Sequence, residues 1–228
     1  MCQSVFVLHL GKKNPKNRYH IGNSELLPVE SHLDLGVTIN SSLTWTEHII
    51  NIVKKANSRS FLIKKTFVNG QLSTMSKVFK SYVRPILEFA NVIWYPTLKK
   101  DEDLIEKVQR RFTRWCYGLE RPCYLNRLNE MKLISLKSRQ RRGDLINVFK
   151  IVKQEKIKFS NKNIFALRQN GRLRGHPLTI TKIKFNYDIM KYSFFIRSLD
   201  DWNSLPKEII DVETVNQFKN KIDDYFNF

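Results

Sequence analysis

One helix with two opposed faces constrains this chain more than any other stretch. From Asp101 onward, apolar Leu104, Val108, Phe112 and Trp115 recur at the three-four spacing of a single helical stripe. Lys107, Arg110, Arg111 and Arg114 recur at the same spacing, rotated well away from it. The first stripe needs a core to pack against. The second needs water or something negative. Asp101, Glu102 and Asp103 suit the first turn, where oxygen side chains meet free N–H groups and the positive end of the helix dipole. Upstream of a Trp94-Tyr95-Pro96 break, Met75, Val78, Phe79, Tyr82, Val83, Ile86, Leu87 and Ala90 mark a partner helix. Pro85 lies inside it, so a kink or a shortened helix is expected there.

Composition decides how these faces are read. The chain has 228 residues, 42% of them hydrophobic, enough for one large or two small domains with a substantial core. Lys and Arg number 40 against 21 acidic residues, a net charge of +19. Unpaired cations are too costly to bury, so the excess must face solvent or a polyanion. Nucleic acid is the first candidate and an acidic membrane surface the second. No run of 18 apolar residues exists, so no membrane span is expected. Cys2, Cys116 and Cys123 are too few for a disulfide framework, and the start lacks a signal-peptide pattern. An intracellular location, nuclear or cytoplasmic, fits these features.

In chain order, the first forty residues are strand-prone. Ser4 to Leu10 is a β-prone run, Tyr19-His20-Ile21 and Glu25 to Val29 form a hairpin around Gly22-Asn23, and Leu33 to Ile39 reads as one strand. Gly36 inside that strand suggests a bulge or a close approach to its backbone. Helices follow. Ser42 or Thr44 can cap a helix from about Trp45 to Phe67, apolar at Trp45, Ile49, Ile52, Val53, Ala56 and Ile63. Its other side carries Lys54, Lys55, Arg59, Lys64 and Lys65. A short helix spans Leu125 to Met131. A longer one spans Leu136 to Gln154, basic in its first half at Lys137, Arg139, Arg141 and Arg142 and apolar in its second. Residues 155–177 read as a loop and Thr179 to Tyr187 as a strand or arm. Met190 to Trp202 and Val215 to Phe226 read as helices. The fold class is α+β and mostly helical: short N-terminal strands, a helical bundle, then a small helical region.

Nothing in the chain reads as an active site. The carboxylate pairs Asp101/Asp103, Asp200/Asp201 and Asp223/Asp224 fall at helix ends or in a terminal helix, whereas general acid–base or metal chemistry needs convergent groups. His9, His20, His32, His48 and His176 lack ligand spacing, and Cys116 and Cys123 lack the histidines of a zinc knuckle. Gly11-Lys12-Lys13 is not a phosphate loop. No catalytic, metal or cofactor residue is therefore expected. The basic stripes are either solvated helix faces or phosphate contacts that carry affinity without sequence choice. Trp94, Tyr95 and Tyr117 are either base-stacking aromatics or packing residues.

Five runs suggest a family: LDLGVTINSSLTWTEHI from Leu33, KANSRSFLIKKTF, SYVRPILEFANVIWYP, LIEKVQRRFTR and LKSRQRRGDLINVFKI. Their order and spacing resemble the carboxy-terminal part of a reverse transcriptase of the non-LTR, jockey-like (LINE-type) retrotransposons. The ending FFIRSLDDWNSLPKEIIDVETVNQFKNKIDDYF resembles that group's last segment. The resemblance implies that residues 1–40 are palm-edge and primer-grip-like strands, 41–134 a thumb-like helical domain and 135–228 a carboxy-terminal extension. It makes Leu35, Gly36 and Val37 primer-grip-like and places a template–primer duplex of RNA and DNA against the basic helices. The family's aromatic-Ala-Asp-Asp turn, which binds two Mg²⁺ ions, has no counterpart in this sequence. The chain alone is thus expected to be catalytically inactive, a fragment of an RNA-directed DNA polymerase that retains substrate-holding elements. The alternatives are a non-catalytic nucleic-acid-binding or protein-interaction module, or a transposon relic without function.

Overall fold

Three two-stranded pairings open the chain. β1 (Phe6–Val7) lies parallel to β4 (Leu27–Pro28), and β2 (His20–Ile21) pairs antiparallel with β3 (Ser24–Glu25). β5 (Ser31–Asp34) and β6 (Val37–Asn40) form the third pair, antiparallel, with Asp34 opposite Val37. The computed structural model describes residues 5–11, 13–68, 70–120, 122–154, 176–182 and 188–227. The single strand expected over Leu33–Ile39 is instead folded back on itself. Leu35 (φ 44°) and Gly36 (φ 89°) are the two turn residues, both left-handed as a tight twisted hairpin requires. Gly36 does mark a close approach, but by the chain itself: a Cβ there would lie 3.1 Å from the Phe89 ring.

The long helix α1 (Thr46–Thr66) follows without a side-chain cap from Ser42 or Thr44. Asn40 takes Thr44 for its own turn, accepting from the Thr44 N–H and donating to its hydroxyl, both at 2.8 Å. α2 (Leu72–Val78) runs through a π-helical turn at Phe79–Val83 into α3 (Arg84–Glu88). The widened turn immediately precedes Pro85, which has no N–H to offer and crowds the preceding turn. That is how the helix absorbs its proline.

α4 (Lys99–Cys116) begins ahead of Asp101 and runs parallel to α1. Thr46 donates to Asp101 at 2.8 Å near the start of both helices, and Arg111 donates to Asn57 at 3.3 Å farther along both. Its buried face is Asp101, Ile105, Val108, Gln109, Phe112 and Thr113, with Leu104 and Trp115 only partly covered. The face includes Gln109 because α5 (Tyr124–Glu130) and the turn before α6 (Leu136–Gln154) supply its partners. Gln109 Nε2 donates to Tyr124 Oη at 2.9 Å and to the Ile134 carbonyl at 3.0 Å. Val37, Ile49, Phe79, Trp94, Phe112 and Leu128 belong to this first core. His48 is buried beside it; its Nδ1 accepts from the Thr38 N–H at 3.2 Å, and its ring meets Trp94 edge-on.

A second core gathers the later half of α6 (Leu145, Val148, Phe149) with Trp202, Ile210, Phe218 and Ile222. The helix expected over Met190–Trp202 is broken into α7 (Asp188–Lys191), α8 (Phe194–Arg197) and α9 (Leu199–Asn203). Ser193 has extended backbone between the first two, and the Ser198 hydroxyl bonds back to the Phe194 carbonyl at 2.6 Å between the others. Side-chain bonds of this kind compete with continuous helix. α10 (Lys207–Ile210) precedes α11 (Val215–Phe226), which starts from a reciprocal Thr214–Gln217 capping box. The loop expected at 155–177 lies almost wholly outside the described residues. Of the arm expected at Thr179–Tyr187, residues 183–187 do too. His176 is buried on this core, 3.1 Å from the Trp202 carbonyl through Nε2. The observed fold is α+β and mostly helical, with its strands first.

Candidate nucleic-acid interface

The α4 row is an exposed cationic surface. At about 100° per residue, Lys107, Arg110, Arg111 and Arg114 share roughly a third of the helix circumference. All four are exposed, and no described carboxylate forms an ion pair with any of them. Two are nonetheless oriented. Arg111 is held to Asn57 of α1, and the Arg110 guanidinium lies 4.9 Å from the centre of the Tyr124 ring. Tyr124 is itself fixed, donating its hydroxyl to Glu106. Burial, then the Glu106 carboxylate, pushes that phenol well above its ordinary pKa, so it stays a neutral donor. Glu106 also accepts from the Leu136 N–H at 2.9 Å, which satisfies the start of α6.

The α1 cations are all exposed, and likewise free of ion pairs among the described residues, but they do not form one line. Lys54 and Lys65 share a strip with exposed Phe61, and the Lys65 ammonium sits 4.9 Å from that ring's centre. Lys64 falls on the same flank as Asn57, toward the α4 row. Lys55 and Arg59 fall on the far edge of α1. Lys64 thus falls on the α4 side of α1 and Lys54 and Lys65 on its outward strip, while Lys54 and Lys55 together line a pocket against the β5–β6 hairpin.

The α6 arginines need correction. Arg139 pairs with Glu88 through two bonds of 2.5 and 3.0 Å, Arg141 with Asp201 through two of 2.7 Å, and Arg142 with Asp223 through bonds of 2.5 and 2.7 Å. These are fork-to-fork pairs. The basic half of α6 lies where the two cores meet, so its arginines face carboxylates of α3, α9 and α11 rather than open solvent. Asp201 and Asp223, read from sequence as helix-end and terminal-helix acids, are the partners. Lys137 contacts Glu102 at 3.1 Å in the same region.

The same junction holds a group that the sequence reading missed. The Arg197 side chain is 8% exposed and forks onto Asp144 at 2.8 and 2.9 Å. It also donates to the Asn91 carbonyl at 2.9 Å and the Tyr192 carbonyl at 3.2 Å, with its guanidinium 4.7 Å from the Tyr95 ring centre. Desolvation raises the Asp144 pKa, and Arg197 opposes that rise. In sequence Arg197 was hidden inside the apolar run Phe194-Phe195-Ile196; a lone arginine there is the only local signal.

The stacking candidates are mostly committed too. Trp94 is 1% exposed and donates to the Phe89 carbonyl at 2.8 Å; Tyr95 faces Arg197; Tyr117 donates to Glu130 at 2.7 Å. Of the primer-grip-like residues, Leu35 is 89% exposed at the hairpin tip, Gly36 backs onto Phe89, and Val37 is in the first core. Burial pushes the Cys116 thiol up to about 12. The described residues contain no cluster of three His, Cys, Asp or Glu side chains suited to a metal, and no helix long and apolar enough to cross a membrane. No protein-family model, curated protein or solved structure matches the chain.

Proposed function

We propose that this chain is a nucleic-acid clamp: the template–primer-holding part of a reverse transcriptase of the non-LTR retrotransposon type, gripping an RNA–DNA duplex by its phosphates. The observation that carries the reading is the selective pairing of charge. Cations at the core junction have carboxylate partners, whereas those of the α4 row and its α1 flank have none among the described residues. Folding that neutralises one basic helix and leaves another bare supplies what backbone binding requires: fixed positive charge with no internal competitor. The pairings of β1–β6 are short, and Val5, Phe6, Tyr19, Ile21 and Leu27 are exposed, which suits strands that belong beside further protein in a polymerase palm. In that family catalysis rests on carboxylates that bind Mg²⁺, and the Ala-Asp-Asp turn that carries them is not in this sequence. This chain's role is to hold the duplex.

The test is fluorescence anisotropy of a labelled RNA–DNA hybrid across a salt series, comparing the natural chain with Lys107→Ala/Arg111→Ala/Arg114→Ala. For a duplex the slope of log affinity against log salt changes by about 0.9 per phosphate contact. Losing three contacts should flatten it by nearly 3. An unchanged slope removes the α4 row from the interface. Arg139→Ala should leave the slope where it was, because that guanidinium is occupied by Glu88.

A further inference from the structure

Next to the α4 row, a cleft of about 250 Å³ opens between α3, α4, α5 and α6. Its floor is apolar and includes Trp94, Ile105, Leu128 and Leu136. On the α6 side, Gln140 lines it with a side-chain nitrogen that is buried and has no hydrogen-bond partner among the described residues. A buried amide donor left unpaired costs stability that an occupant with an acceptor restores. Opposite it stand the carboxylates of Glu102 and Glu106, whose oxygens retain lone pairs beyond their present bonds. Arg110 forms part of the rim, held over Tyr124 with its charge unpaired.

We propose that this cleft takes a single unpaired nucleobase, flat against the apolar floor, with the attached phosphate held at the rim by Arg110. The proposal extends the nucleic-acid reading of the α4 row from backbone grip to capture of a base at a frayed or single-stranded end. The chemistry selects this class. Glu102 is already paired with the exposed Lys99 and Lys137, which also line the cleft, whereas Glu106 has no ion pair among the described residues and, with the apolar floor, disfavours a free phosphate at depth. A base has apolar faces, at least one acceptor for Gln140 and a donor edge for a carboxylate, as in the pairing of Glu with an exocyclic amino group. Its 5′-phosphate lies outside the ring, where the unpaired guanidinium is. Taking up one base requires it to leave its stack, which costs least at a strand end or mismatch.

The experiment is calorimetric titration of the full chain with the four nucleoside 5′-monophosphates, with ribose 5-phosphate as the baseless control. At least one mononucleotide should bind tenfold or more tightly than ribose 5-phosphate. Gln140→Met, which keeps the volume and removes the donor, should weaken it about fivefold, the worth of one hydrogen bond. Leu125→Trp places an indole at the mouth from an exposed position and should block binding without disturbing the core. The Lys107, Arg111 and Arg114 triple variant should bind mononucleotide as before while losing duplex. Equal binding of ribose 5-phosphate overturns the base site, as does an unaffected Gln140→Met, or mononucleotide binding lost in the triple variant. Mononucleotide binding retained with duplex binding absent in the natural chain would instead overturn the clamp and leave the cleft standing.

Discussion

Replacing Arg197 with methionine should be among the most damaging single changes available in this protein. The guanidinium makes four hydrogen bonds, two to Asp144 and one each to the Asn91 and Tyr192 carbonyls, in a site where both charged side chains are 8% exposed. Methionine fills similar volume and supplies none of them. The variant leaves a buried carboxylate without a counter-charge, and breaking such a pair from one side costs about 3–5 kcal/mol. With a urea dependence of about 2 kcal/mol/M, the unfolding midpoint should fall by roughly 1.5–2.5 M. The decisive measurement is the double variant Arg197→Met/Asp144→Leu, followed by circular dichroism in urea. Removing both charges removes the orphaned carboxylate, so the double variant should recover about 2 kcal/mol or more of the single variant's loss. A double variant no more stable than Arg197→Met would show that the carboxylate was never the cost. The carbonyl bonds and packing would then carry the site.

Acid should weaken the fold through two histidines. His48 and His176 both have pKa values lowered, chiefly by burial, with Lys55 adding to the effect at His48. The folded chain therefore binds fewer protons than the unfolded one just below the ordinary histidine pKa of about 6.5. Their contribution is complete above that value and is lost as pH falls through it toward the folded values, so urea midpoints from pH 7.5 to 5 should decline, and less steeply in His48→Gln. At the β5–β6 turn, Gly36→Ala should cost about 1 kcal/mol or more, since φ is 89° and the new Cβ meets the Phe89 ring at 3.1 Å. Phe89→Ala in that background should relieve the clash but not the backbone strain; a midpoint equal to that of Phe89→Ala alone would mean the turn is not left-handed at Gly36.

What could be read from the sequence was local, and what could not was set by partners far along the chain. α6 and α11 match their sequence bounds because the residue pattern that marks each helix is written within one segment. Gln109 could not be read as core, because its bonds reach Tyr124 and Ile134. Arg139, Arg141 and Arg142 looked like the α4 row because a cation on a helix has the same local signature whether a phosphate or a carboxylate faces it. Their partners stand 51, 60 and 81 residues away. The Leu35-Gly36 turn was masked by the alternation of LDLGVTI, which pairs with itself rather than running on. The consequence for function is a subtraction. A net charge of +19 says only that cations outnumber anions. Once the fold shows which of them hold its two cores together, those left over on α4 and the adjoining flank of α1 form a narrower and more testable surface than the three basic helices visible in the sequence.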